Sequence, residues 1–491
     1  MRIITLTILL TMLLACGSED DPQLQEHAYL PETESLPDNQ TTATEKLPNS
    51  YIVALKPENF DQPKSLYFSS FAQEFSHNSR QFFSLLDAPG IKHWQHIGTV
   101  DLKASAPLDH KPEVNHPLEL ELAKTLQKKP ESAVLMRVDF SSETAAKDHL
   151  RKWELLDKIW YAEPNEISHL SGDFTTYGDN YAAIADGGSD VKKNHNLIKL
   201  VPAFYAIDAV NTNPSRPIIA ILDSGVDRLH PSLVGRTWEN IDGNIGAAGC
   251  KNDRYGCNTT TSFKDSLGDG AVFPTKLNDF GTPCESPNGK LDPECSHGTH
   301  VAAIAAGDVG TGVPGICPVC TVLPIRIVGK IPDTDKYGIL DSSILAGLKY
   351  ISRFKTSGGD AGIQVVNASF GKFTRSKSVA VFVDLIHDQV GAIITGAAGN
   401  EDTNRMSYPA SLSKVIAVSA IGTKTLTKTI FSNYGSWVDI AAPGDLIYSA
   451  IPGTSQNAFT KKDGTSMAAP FVAGLAGLII AKECTLNQPC G

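Results

Sequence analysis

From about Leu197 onward, short uninterrupted apolar runs alternate with helix-patterned stretches. The runs Ile218–Asp223, Val322–Val328, Ile363–Phe370, Ala392–Ala398 and Val415–Ala420 lack the in-out alternation of a strand with one wet face. His297–Ala306, Asp341–Phe354, Ser378–Asp388 and Ser466–Lys482 read as helices between them. Strands buried on both faces and separated by helices predict an α/β domain, a parallel sheet between two helical layers. In such a sheet the chemistry collects at the carboxyl ends of the strands.

The preceding part reads differently. Met1 and Arg2 open a positive start, and Ile3 to Leu14 form an apolar run too short to span a bilayer. It ends in Leu13-Leu14-Ala15-Cys16, which resembles a bacterial lipobox, so Cys16 is the expected lipidation site. Residues 17–50 are polar and read as a linker. Tyr51–Lys56 and Ala133–Phe140 read as strands, Ser142–Leu156 as a helix, and Ile159–Asn165 as a closing strand. These make a small α+β module over 51–167, followed by a second linker over 168–196. Lys+Arg is 43 against Asp+Glu 54, a net charge of −11 without basic runs, which argues against nucleic-acid partners. Export predicts oxidised cysteines. Beyond Cys16 the other eight fall into near neighbours, Cys250/Cys257, Cys284/Cys295, Cys317/Cys320 and Cys484/Cys490, though the connectivity stays open.

Three segments carry chemistry. Ile218–Asp223 delivers a carboxylate at a strand end, before the Gly turn of Ser224-Gly225-Val226-Asp227. A strand-end Asp is common in α/β proteins and alone marks nothing. Ser296-His297-Gly298-Thr299-His300 opens a small-residue helix, where His297 and His300 at i, i+3 are conceivable as a metal pair. The zinc-protease H-E-x-x-H pattern is absent, and no acid separates them. Gly464-Thr465-Ser466-Met467-Ala468-Ala469-Pro470 starts a helix at a Ser, with Pro470 read in its first turn. A plain N-cap serine explains this equally well.

Together these segments resemble the subtilisin-like serine peptidases, over roughly residues 195 to 482. Asn367-Ala368-Ser369-Phe370-Gly371 and Gly396-Ala397-Ala398-Gly399-Asn400 belong to the same pattern. The resemblance implies a three-layer parallel-sheet catalytic domain over 197–491 and a serine endopeptidase working through an acyl-enzyme. Ser466 would be the nucleophile, His297 the base and then the acid, and Asp223 the residue fixing the His tautomer. Asn400 and the Ser466 N–H would hold the oxyanion. Ser369, Phe370 and Gly371 on one side, and Ala397, Ala398 and Gly399 on the other, would bind an extended peptide. Small residues at Ala397 and Ala398 leave the first specificity pocket open, with Phe370 expected as an aromatic wall. The 51–167 module resembles the family's inhibitory propeptide, which implies a zymogen cut within 168–196.

The resemblance also has gaps. The stretch between Asp223 and His297 is long and holds Cys250, Cys257, Cys284 and Cys295, so it reads as a stapled insertion. No cofactor is expected for catalysis. The family's structural calcium site would use positions that here are Ser232 and Val309, with Asp308 adjacent, so it looks incomplete. The expected partners are protein or peptide substrates, the chain's own propeptide, and a membrane through Cys16 before maturation, with the peptidase acting as a monomer. The expected location is the outer membrane or cell surface, with the mature peptidase released. Two other readings compete: a lipid-anchored binding protein that reuses the fold, and a metallohydrolase using His297 and His300.

Overall fold

The computed structural model describes residues 45–56, 88–101, 132–155, 158–170, 216–240, 250, 254–260, 293–308, 313–331, 337–354, 362–452 and 458–483. Cys16, Cys284, Cys484, Cys490 and Val309 lie outside the described residues.

The first body holds β1 (Lys46–Leu55), β2 (Ile91–Asp101), β3 (Ser132–Phe140), α1 (Glu143–Leu155) and β4 (Ile159–Leu170). The second continues with β5 (Ile218–Asp223), β6 (Cys257–Asn258), α2 (Pro293–Ala306), β7 (Thr321–Arg326), β8 (Val328–Lys330), β9 (Tyr337–Leu340) and α3 (Asp341–Ile351). It then runs through β10 (Ile363–Ala368), β11 (Phe370–Gly371), α4 (Lys377–Leu385), β12 (Ile393–Ala397) and β13 (Val415–Ile421). β14 (Ile440–Pro443), β15 (Ile447–Ala450), β16 (Phe459–Lys462) and α5 (Thr465–Glu483) complete it.

The main sheet is parallel along the order β14-β13-β12-β10-β5-β7-β6. Its period-two alternation sorts one strand between two cores. Ile218, Ala220 and Leu222 face the helices α3 and α4, packing with Ile344, Leu348 and Phe382. Ile219 and Ile221 face α2 and α5, packing with Val301, Ala305 and Ala469. That is why β5 is apolar throughout until Asp223. The chain leaves β5 toward β7 on one side and reaches β10 and β12 on the other, so the strand order reverses between β5 and β10.

α5 is the sheet's central prop. By length and apolarity it could cross a membrane, yet 78% of its apolar window is buried inside the protein. It packs on β10, β12, β13 and α2 as a core helix.

The N-terminal body is an antiparallel sheet in the order β2-β3-β1-β4, and β9 and β8 extend it beyond β4. Val53 and Leu55 face α1 and its buried Trp153. Ile52 and Ala54 face the opposite way, into the core shared with α3 and α4. The strands outrun their sequence-based limits. β1 begins at Lys46, inside the expected linker, and β4 continues to Leu170, past the expected module end at 167. The extra residues are held by partners distant in sequence, which local patterning does not register.

Two disulfides are present among the described residues, Cys250–Cys257 with Cα atoms 5.8 Å apart and Cys317–Cys320 at 5.3 Å. Cys295 is also disulfide-bonded.

Candidate active site

Asp223 ends β5 with its carboxylate fully buried. Both oxygens lie 2.9 Å from His297 Nδ1. The Ser224 N–H donates to Asp223 Oδ1 at 2.7 Å, and the Gly298 N–H donates to Ser224 Oγ at 3.0 Å. One serine thus laces the strand end to the helix that carries the imidazole. α2 begins at Pro293, so His297 sits in its second turn and does not open it as the sequence suggested. The strand and helix come this close because position 298 has no side chain. A Cβ there would lie 2.3 Å from the Gly225 carbonyl oxygen and 3.1 Å from Asp223.

His300 faces away from this pair. Its Nε2 meets the Thr460 carbonyl at 3.2 Å, and burial holds its pKa well below the usual imidazole value. The two histidines do not converge, and among the described residues no group of three His, Cys, Asp or Glu side chains gathers for a metal.

Ser466 is the second residue of α5 and fully buried. Its hydroxyl donates to the Ser369 carbonyl at 2.8 Å, while the Ser369 hydroxyl donates back to the Ser466 carbonyl at 3.0 Å. The second bond has a backbone cause. Pro470 lies inside the helix beyond its first turn, further in than expected, at the position whose N–H would have bonded the Ser466 carbonyl. Ser369 is in turn held by the Asn367 amide at 2.8 Å, and Asn367 Oδ1 accepts from the Thr395 hydroxyl at 3.1 Å.

Asn400 follows β12. Its Oδ1 accepts from both the Thr465 N–H at 2.9 Å and the Thr465 hydroxyl at 3.0 Å. With the oxygen engaged, the amide NH2 is the edge left to donate. The Thr465 hydroxyl also accepts from the Gly399 N–H at 3.0 Å. Gly399 has φ of 103°, and a Cβ on it would lie 2.3 Å from Asn433 Nδ2. Asn433 brackets this turn, donating to the Ala398 carbonyl at 2.9 Å and accepting from the Glu401 N–H at 3.0 Å. The Ser466 N–H belongs to the first turn of α5, where helical N–H groups have no carbonyl four residues back.

A strand of this chain lies across the neighbouring surface. β4 pairs antiparallel with β11, His169 opposite Gly371 and Leu170 opposite Phe370. On its other edge it pairs with β9, Ile167 opposite Leu340 and Ser168 opposite Ile339. The Phe370 ring lines a cleft with Ser168, Asp341 and Ile344. It packs apart from Ala397 and Ala398, so it is not the wall of their pocket that the sequence suggested. Strand alternation explains this, because Ser369 turns toward Ser466 and Phe370 therefore turns the other way.

β4 also grips two helices by their N-termini. Glu163 accepts from the N–H groups of Lys377 at 2.9 Å and Ser378 at 3.1 Å, at the start of α4. Asn165 Oδ1 accepts from the Ser342 N–H at 3.1 Å, at the start of α3. These N–H groups have no partner within their helices, and a carboxylate or amide oxygen satisfies them.

At the expected calcium position the Ser232 carbonyl accepts from the Asp308 N–H at 2.8 Å. The Asp308 carboxylate pairs with the guanidinium of Arg236. Nearby, His230 is buried, its Nε2 donating to the Ala458 carbonyl at 3.0 Å and its Nδ1 accepting from the Ser232 N–H at 3.1 Å.

The structure thus pairs Asp223 with His297, pairs Ser369 with Ser466, and ties Asn400 to Thr465, the residue before Ser466. Sequence reading quoted Thr465 and Ser224 inside motifs but gave them no role. It missed β9 altogether, because its short Tyr-Gly-Ile-Leu run resembles a helix approach.

The family profile of the subtilase family matches residues 215–488. The thermophilic serine proteinase of Bacillus sp. (strain AK1) is 32% identical over 280 residues, which covers 57% of this chain and 55% of that protein. Thermitase of Thermoactinomyces vulgaris is 30% identical, over 54% of this chain and 75% of its own length. Subtilisin E of Bacillus subtilis (strain 168) is 30% identical over 67% of this chain and 66% of its length. The aligned part spans about half the length of the first of these relatives. A profile match over more than half of the chain, carried on this parallel sheet, places the chain in the subtilase family.

Proposed function

We propose that this chain is an exported serine endopeptidase, made as a zymogen that cuts itself. The observation that carries this reading is the seat of β4. Its last residues pair with β11, one residue from Ser369, whose carbonyl holds the Ser466 hydroxyl. A peptide laid along the same edge would bring its reacting carbonyl to that hydroxyl.

In the mechanism, the Ser466 hydroxyl turns from the Ser369 carbonyl to His297 Nε2. His297 removes its proton as Ser466 Oγ attacks the peptide carbonyl carbon. Asp223, on His297 Nδ1, holds the tautomer that leaves Nε2 as the acceptor and stabilises the imidazolium that forms. The tetrahedral oxygen takes hydrogen bonds from the Asn400 NH2 and the Ser466 N–H. His297 then gives its proton to the leaving amine. Water, activated by the same imidazole, releases the acyl group.

β1 to β4 and α1 form the propeptide, which blocks the substrate edge until cleavage. We expect the cut just after β4, at the bond following Ser171, since β4 pairs with β11 up to Leu170. Export and lipidation rest on residues 1–16, and an anchor at Cys16 would hold the propeptide at the membrane while the cut peptidase leaves.

The test is a fluorophosphonate probe on the purified chain and on Ser466→Ala, with mass spectrometry of the products. The expected result is labelling and a fragment ending at Ser171 in the wild type, and neither in the variant. A folded wild type that neither labels nor cleaves would overturn the enzyme reading and leave a binding protein that reuses the fold.

A further inference from the structure

Lys372 follows β11 directly. Its ammonium lies 2.6 Å from Glu166 Oε2 on β4 and 2.7 Å from Asp341 Oδ2 at the start of α3. The three side chains are 6%, 12% and 1% exposed. Asp341 and Lys372 belong to the body that carries Ser466, and Glu166 comes from the docked strand. Without the strand, Lys372 and Asp341 neutralise each other. With it, one buried ammonium faces two carboxylates. Asp341 Oδ1 is buried with no hydrogen-bond partner and borders the cleft under Ser168, together with Phe370, Lys372 and Ser376.

We propose that Lys372 is a specificity-determining residue that reads an acidic side chain of the substrate strand, at the place Glu166 holds, and that Asp341 makes this reading weaken as pH rises. The proposal rests on the peptidase reading above and names a preference of that same site. The ammonium is already withdrawn from water by its surroundings. A carboxylate therefore meets it as a short charge-assisted bond, while a neutral amide offers only a dipole. An uncharged residue there loses the ion pair and gains nothing in its place.

The pH arm follows from the charges around Asp341. Burial pushes its carboxyl up to about 7, Lys372 opposes that, and Glu163 and Glu166 push it further up. Both glutamates lie on β4, so docking an acid there makes Asp341 hold its proton more tightly. Binding near neutrality then takes up a proton, and a rise in pH weakens it. The other charges close by are Lys377, which faces Glu163, and Arg375, which faces Lys377.

The experiment uses the processed enzyme from the full chain and two quenched peptides. One carries Glu-Ile-Ser-His-Leu-Ser-Gly-Asp, the sequence of residues 166–173, and the other has Gln in place of its Glu. We expect kcat/KM about tenfold higher for the Glu peptide at pH 6, a ratio set by one charge-assisted bond. The ratio should shrink toward pH 9. Lys372→Met should bring it to about one, and Lys372→Arg should retain it. A peptide that starts at Ser168 reports whether each variant is folded and active. Equal rates for the Glu and Gln peptides in the wild type, or a ratio that survives Lys372→Met, would overturn the proposal. If Lys372→Met does not fold, a wild-type ratio that stays flat with pH, or is lost in Lys372→Arg, does the same. Failure to cut the short peptide at all would instead count against the peptidase reading.

Discussion

Ser369 and Ser466 exchange hydrogen bonds in both directions, each hydroxyl donating to the other's carbonyl. The helix of the proposed nucleophile is therefore fastened to the proposed substrate edge at Ser466 itself. The fastening depends on Pro470, which leaves the Ser466 carbonyl without a helical donor. Ser369→Ala strands that buried carbonyl and should cost about 1–3 kcal/mol. Adding Pro470→Ala supplies a backbone N–H at the right place, so the double variant should recover part of the loss. Denaturant unfolding of the four proteins in the Ser466→Ala background gives the coupling directly. Strictly additive losses would mean that Pro470 does not set the Ser369 contact.

Thr465 sets the direction in which Asn400 donates, through two bonds to its Oδ1. Removing the proposed oxyanion donor, Asn400→Leu, should lower kcat by roughly 10²–10³, a magnitude that comes from subtilisin itself. Thr465→Val removes one of two positioning bonds and should lower kcat by about tenfold, with KM near the wild-type value. A Thr465→Ser variant keeps the hydroxyl and should restore most of the rate. Steady-state kinetics on a short peptide separates these, and a Thr465→Val defect confined to KM would refute the positioning role.

Glu163 lies across the N-terminus of α4, accepting two backbone N–H groups and the Ser376 hydroxyl at 3.1 Å. Glu163→Gln keeps the shape and removes the charge. A carboxylate at a helix N-terminus contributes roughly 0.3–2 kcal/mol, so the cut propeptide should bind up to about thirtyfold more weakly. The measurement is the delay before peptide hydrolysis appears when the full chain matures. An unchanged delay would show that this contact does not govern release.

Asp341 gives the uncut chain a pH-dependent stability of definite sign. Its folded pKa of about 7 lies above its ordinary value of 3.8, chiefly because it is buried. The folded chain therefore binds this proton more tightly than the unfolded one. The contribution is complete below about pH 4 and is lost as pH rises to about 7. Thermal unfolding of Ser466→Ala across that range should show this loss, and Asp341→Asn should remove it. An identical pH slope in the two proteins would mean that Asp341 titrates normally.

The parallel sheet was legible because its strands are buried on both faces, so β5, β10, β12 and β13 are apolar apart from Asp223, Gln364, Asn367, Thr395 and Ser419. The Asp223, His297 and Ser466 segments were legible as motifs, since each couples a polar residue to small neighbours that allow close approach. Less was visible where one residue serves another. Thr465 acts on Asn400 across 65 residues, and Asn433 acts on Ala398 across 35. No periodicity links such pairs. The placing of Phe370 failed for a related reason. A strand residue's face depends on which neighbour turns inward, and Ser369 had already taken that direction. β9 and the last residues of β4 are held as strands by partners elsewhere in the chain, β9 by β8 and β4, and the end of β4 by β9 and β11, which is tertiary context overriding local preference.

β4 is hydrogen-bonded along both edges, to β1 within its own body and to β9 and β11 of the other. Cutting the chain after this strand breaks one covalent bond and none of these. The blocked state would therefore outlast the cut, and freedom would come when the severed piece is itself destroyed. The molecules able to destroy it are those already free. On the proposed zymogen reading, switching on would then depend on the company each molecule keeps: isolated copies would stay quiet for long periods, while a crowded population, once one member escapes, would turn on together.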